Sequence, residues 1–133
     1  MKRAQLTALA ERVMGLSGPD RGVDALVALA IGWSACQRQQ WFTPPGLTVK
    51  HHRSELPRYT ADLNAAMAMV PPNSWHEIKG PRKYLNIPTP APNYWSVHLA
   101  SWNHKFQVMG WGATPALALT AAALLARAAE CEA

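Results

Sequence analysis

Five histidines lie between His51 and His104, and eight lysines or arginines lie between Arg38 and Lys105 against three acids, Glu55, Asp62 and Glu77. Metal binding is the first chemistry such a cluster raises. His51 and His52 are adjacent, however, and point apart if the backbone is extended. No His-x-x-x-His or Cys-x-x-Cys spacing accompanies them, so the histidines read as solvated or hydrogen-bonded side chains rather than ligands. Hydrolytic chemistry has no better footing: there is no nucleophile elbow, no Walker loop and no dinucleotide fingerprint. Glu77 beside His76 falls on a strand, where neighbours face opposite ways. Asp24 and Asp62 sit in first turns of helices, where a carboxylate favours the positive end of the dipole. The residues therefore describe a chain without catalytic machinery, metal or cofactor.

What they do offer is positive charge interleaved with rings. Arg82, Lys83 and Tyr84 fall in an irregular, proline-bearing stretch, Gly80–Asn93; Tyr94, His98, Lys105 and Trp111 fall on one face of a hairpin; Arg53 and Arg58 precede a helix. Bases stack on flat π-faces, and phosphates take guanidinium, ammonium and backbone N–H donors, so this set is the candidate for an anionic, nucleotide-like ligand. Gly110–Thr114 leads into a helix whose first N–H groups could join them, with Thr114 as an ordinary N-cap as the plainer reading. Among the tryptophans, Trp33, Trp75 and Trp95 read as core, whereas Trp102, Trp111 and Tyr94 read as accessible.

The elements that must position these residues are legible in the hydrophobic spacing. Tyr94–Ala100 and Lys105–Trp111 alternate around a turn at Ser101–His104. The pairing that segregates the two faces sets Leu99 opposite Phe106, Val97 opposite Val108 and Trp95 opposite Gly110. Thr114-Pro115 opens a last helix that is nearly free of charge up to Arg127 and hence buried around much of its circumference. Upstream, Leu6, Leu9, Val13 and Leu16 mark a helix over Lys2–Leu16. Asp20 caps a second helix reaching about Ile31, with Gly32 as its stop. Thr60 caps a third, with Leu63, Ala66, Met67 and Val70 along its stripe and Pro71-Pro72 at its end. Short strands are expected near Leu47–Lys50 and over Trp75–Lys79. An α+β fold follows: an α-β-α sandwich with a small, mainly antiparallel sheet of three to four strands and about four helices, as one domain over residues 1–133.

Composition is consistent with this. The length suits one domain. Charged residues are 16% against a usual ~25%, which leaves apolar surface for a homo-oligomer interface. The formal charge of +5 favours a negatively charged partner. No run approaches the ~20 apolar residues of a membrane span, and Glu11 and Arg12 interrupt the place of a signal-peptide core. With two cysteines, Cys36 and Cys131, at most one bridge can form, and a reducing cytosol is the expected compartment.

Three segments together carry a resemblance: Leu16-Ser17-Gly18-Pro19-Asp20-Arg21 with the helix ending Ala30-Ile31-Gly32-Trp33; Leu56 to Ala66, reading LPRYTADLNAA; and Ala113 to Leu124, reading ATPALALTAAAL. In this order the set resembles the small phage and prophage proteins of the phage ABA sandwich domain family. The likeness covers most of the chain and is weakest at Gln37–Arg53 and Arg82–Asn93. It implies an α/β sandwich and a bacteriophage origin, with no shared catalytic motif. By analogy of lifestyle, it points to a cytoplasmic accessory protein that counters host defence by sequestering a nucleotide-like signal. The alternatives are an inhibitor that binds a host defence complex and a nucleic-acid binder; the latter lacks a recognisable recognition helix or RNA-binding motif.

Overall fold

The computed structural model describes residues 2–82, 94–103 and 105–131, with Pro81 and Arg82 as backbone only. It has the expected mixture of helices and antiparallel sheet. The strands, however, divide into two sheets of three, β1-β2-β3 and β4-β5-β6.

The main sheet is built from β4 (Ser74–Arg82), β5 (Tyr94–Ser101) and β6 (Gln107–Gly112), all antiparallel. Val97, Leu99 and Trp95 face inward from β5, as expected. Their partners on β6 differ by one pleat: Leu99 pairs with Val108, Val97 with Gly110 and Trp95 with Gly112. A two-residue shift keeps the separation of faces, which is why face patterning alone does not decide it. The turn decides it. The Ser101 N–H donates to the Phe106 carbonyl at 3.1 Å, and the Ser101 Oγ accepts the Phe106 N–H at 3.1 Å. Asn103 Oδ1 accepts the Lys105 N–H at 3.3 Å, and the Trp102 N–H reaches the Asn73 carbonyl at 3.0 Å. Phe106 thus closes the turn and sits in the core instead of opposing Leu99.

The shift puts both β6 glycines under α4 (Pro115–Glu130). A β-carbon on Gly110 would stand 2.5 Å from the Ala118 carbonyl oxygen and the Ala122 nitrogen, and one on Gly112 would stand 2.7 Å from Leu117 Cβ. The helix backbone therefore rests directly on the strand. Thr114 Oγ1 accepts the Leu117 N–H at 3.2 Å and Pro115 takes the first helical position, as the residue types require. Residues Ala116–Leu124 are all buried, because the sheet, α1 (Arg3–Met14) and α3 (Leu63–Met67) all pack against the helix. Its C-terminal carbonyls have a partner from the opposite end of the chain. Arg3 Nε donates to the Ala128 carbonyl at 2.9 Å and Arg3 Nη2 to that of Cys131 at 2.8 Å.

α2 (Arg21–Ala30) starts as expected, with Asp20 Oδ1 accepting the Val23 N–H at 3.1 Å. Thr60 has a different role from the cap assigned to it. Asp62 caps α3, accepting the Asn64 N–H at 2.9 Å, and that helix is only five residues long. Thr60 is instead fully buried against α2. Its N–H and hydroxyl both donate to Asp24 Oδ1 at 2.8 Å, while Asp24 Oδ2 pairs with Arg21 at 3.0 Å. Arg21 Nη2 extends this clip to the Leu56 and Ser54 carbonyls at 3.0 and 3.2 Å.

The smaller sheet comprises β1 (Ser34–Cys36), β2 (Trp41–Thr43) and β3 (His51–His52). Its first turn is made by Gln37, Arg38 and Gln39, all in the left-handed region (φ 52°, 58° and 63°) without a glycine among them. The strand expected at Leu47–Lys50 begins only at His51, so Leu47 and Val49 stand 61% and 64% exposed.

Candidate functional site

The outer face of the main sheet is read from the pairing. Trp75 lies opposite Ala100, Glu77 opposite His98 and Lys79 opposite Ser96; across the other edge, His98 meets Met109, Ala100 meets Gln107 and Ser96 meets Trp111. At the hairpin's closed end this face gathers rings. Trp75 and His98 stand edge-on with centroids 5.0 Å apart, and Trp75 and Trp102 are tilted at 6.4 Å. His98 Nε2 and Gln107 Nε2 are 2.9 Å apart, a hydrogen bond in which the amide N–H donates when that imidazole nitrogen is unprotonated. Trp75, Ala100, Ser101, Phe106 and Gln107 line a recess of about 170 Å³. Ser101 and Phe106 also border a second recess of about 210 Å³, to which Pro71, Pro72, Asn103, the exposed Lys105 and the exposed Glu130 contribute.

The candidate residues divide among several places. His98 and Lys105 belong to this closed end. Trp111 is half-buried on the same face but four strand residues beyond Gln107, about 14 Å at ~3.4 Å per residue. Its indole Nε1 is buried without a hydrogen-bond partner among the described residues. Tyr94, expected to be accessible, is only 2% exposed and therefore offers no stacking surface. Thr114 spends its hydroxyl on the helix cap, so the plainer reading holds. Arg53, in a 3₁₀ turn over Arg53–Glu55, and the exposed Arg58 belong to the stretch whose carbonyls Arg21 holds beside α2, not to the hairpin. Arg82 pairs with Tyr94 through its backbone at the far end of β4. Lys83 and Tyr84 lie outside the described residues, as does His104.

Trp75 corrects the sequence reading in the other direction. Trp33 and Trp95 pack against the core as expected, whereas Trp75 faces outward and joins Trp102, which is 67% exposed. The pairing partner carried the information. A tryptophan opposite Ala100 must share a face with His98, and a β4–β5 register drawn from the strand at Trp75–Lys79 would have placed it there.

Ionic neighbours at this end are few. Lys79 is paired with Glu77 at 3.0 Å, and Lys105 makes no ion pair with a described residue. The arrangement is a recess lined by the Trp75 and Phe106 rings, which suits stacking, adjoining through Ser101 and Phe106 a second recess in which Lys105 stands with the Glu130 carboxylate. Among the described residues no three His, Cys, Asp or Glu side chains come together as a metal-ligand set, and no helix is long and apolar enough to cross a membrane.

No protein-family model, curated protein or solved structure matches this chain.

Proposed function

We propose that this chain is a non-enzymatic binding protein that holds an anionic, nucleotide-like small molecule at the closed end of the β5–β6 hairpin. The observation that carries the proposal is the convergence of Trp75, Trp102 and His98 on the outer sheet face, next to the recess that Lys105 lines. A base would lie against the indoles and accept from or donate to Gln107. Its phosphate, a monoanion in a cyclic nucleotide, would meet the Lys105 ammonium in the recess that Glu130 also lines. Sequestration is the activity such a site supports, because among its described residues no nucleophile is hydrogen-bonded to a side-chain base. In the phage setting implied by the family resemblance, the protein would be an anti-defence sponge in the host cytoplasm.

Equilibrium dialysis against individual cyclic nucleotides, followed by recovery of the small molecule after heat denaturation, tests this. One of them should be retained and returned unchanged. Trp102→Ala should weaken retention about 5- to 150-fold, the worth of one stacked base at ~1–3 kcal/mol. Absence of retention across the panel, or conversion to a product, overturns the proposal.

A second reading, inhibition of a host complex by surface contact, is favoured by a different observation. Trp41, Leu47 and Val49 project from the smaller sheet and its following loop at 37%, 61% and 64% exposure. Such side chains at a basic surface suit an acidic protein neighbour, or a second copy of the chain in a homo-oligomer. A stoichiometric protein partner that is lost in Leu47→Asp/Val49→Asp, with no small ligand bound, would replace the first reading by this one.

A further inference from the structure

We infer that a second binding site lies between α1, the end of α2 and the C-terminal turns of α4, and that it takes a small zwitterionic α-amino acid with an aliphatic side chain. The site adjoins the Lys105 recess through Pro71, Pro72 and Glu130 but is not lined by Trp75, Trp102 or His98. A cavity of about 320 Å³ opens there, with Leu6, Ala30, Pro71 and Pro72 as walls and Arg127 and Glu130 as its charged groups. That volume falls within the range of small-ligand pockets, about 300–1,000 Å³.

Arg127 is the reason to regard the cavity as a site. Its Nε is buried and has no hydrogen-bond partner among the described residues, where its Nη2 reaches only the Met69 carbonyl at the limiting distance of 3.5 Å. Closing off a guanidinium N–H without a partner is costly, and charged donors are the most costly to leave so. Turning the guanidinium toward the cavity gives up one marginal contact and frees the stranded N–H, so an anion in the cavity has little to compete with. A carboxylate matches the guanidinium fork with two parallel hydrogen bonds. Glu130, one helical turn further on, also lines the cavity and is not within ion-pair distance of Arg127, so the two opposite charges stand separately available. A dianionic phosphate would be repelled by that carboxylate. An α-amino acid instead presents its carboxylate to Arg127 and its ammonium to Glu130, and lays its side chain on the leucine, alanine and proline walls.

The test is titration of the full chain with L-leucine, isocaproate and isoamylamine, read by calorimetry and by saturation-transfer NMR, with circular dichroism reporting the fold of each variant. Leucine should bind saturably, isocaproate more weakly and isoamylamine more weakly still. Arg127→Met should weaken leucine and isocaproate at least ten-fold. Glu130→Gln should weaken leucine but leave isocaproate unchanged. Ala30→Leu, which fills the cavity and leaves both charges in place, should abolish binding even if Arg127→Met does not fold. Trp102→Ala, at the hairpin, should leave leucine binding unaltered, which separates this inference from the nucleotide reading. Absence of saturable binding to the folded wild-type chain, or equal binding by Ala30→Leu, overturns it.

Discussion

Asp24 has no exposed surface, yet its carboxylate is fully used: Oδ1 takes two donors from Thr60 and Oδ2 takes Arg21. Its function is to hold the Leu56–Thr60 stretch against α2, which makes it a structural carboxylate and not an acid–base group. Asp24→Ala would strand the buried Thr60 N–H and remove the carboxylate from the Thr60 hydroxyl and the Arg21 guanidinium, which keep only their backbone partners. The expected loss is about 3 kcal/mol of unfolding free energy, read from chemical denaturation. Thr60→Val, which removes only the hydroxyl, should cost about 1 kcal/mol. Tyr59 beside it makes a pH-dependent contribution. Burial raises its phenol above the ordinary tyrosine value, partly opposed by a hydrogen bond from Trp33. A raised folded-state pKa means that the folded chain holds its proton longer than the unfolded one. The contribution is therefore complete below about pH 10, the unfolded value, and is lost as pH climbs toward the folded one. Denaturation midpoints measured upward from pH 9 should fall more steeply in wild type than in Tyr59→Phe; parallel curves would contradict the assignment.

At the scale of elements, the contact between α4 and β6 determines the rest. Because Gly110 and Gly112 leave no room for a β-carbon, the helix sits low enough for its alanine-rich surface to be enclosed on all sides. Gly110→Val must lift the helix or bend the strand, and should cost at least the upper end of the ~1–3 kcal/mol of core overpacking, read as a drop in thermal midpoint. Arg3→Ala should cost about 1 kcal/mol by uncapping the last carbonyls of α4, the smaller value reflecting its solvent exposure. The helices were legible because their caps are chemical: Asp20 and Thr114 announce a start wherever they stand before an apolar stripe. The α3 region misled because Thr60 and Asp62 are both cap-type residues two apart, and only the buried Asp24 decides which one the fold uses elsewhere. β1 and β2 were not legible at all. Their turn consists of three left-handed residues, Gln37, Arg38 and Gln39, where a glycine or an Asn-Gly pair would be the recognisable sign. The hairpin showed its two faces but not its register, because a shift of two residues preserves both faces and the choice falls to the Ser101–Phe106 closing pair.

At the scale of the whole molecule, positive charge that looked like one mid-chain patch is distributed. Arg53 and Arg58 sit beside α2, and Lys105 sits at the hairpin turn. Linear proximity could not reveal this, because the intervening elements send the two groups to different parts of the fold. The rings, in contrast, converge. Trp75 comes from β4, His98 from β5 and Trp102 from the turn, three positions up to 27 residues apart in sequence, which explains why no single motif advertised the site. A nucleotide held there should lose affinity only modestly between low and physiological salt, since one Lys105 contact is at stake. A polymer of phosphates bridging the scattered cations would show a steep slope instead.

A native mass spectrum of the purified chain after incubation with a mixture of cyclic nucleotides tests the hairpin site most directly. A mass increase equal to one intact nucleotide per chain, much reduced in Trp102→Ala and in Lys105→Ala while both variants keep the wild-type fold, is the expected result. An unshifted spectrum, or a shift that both variants retain in full, would contradict it.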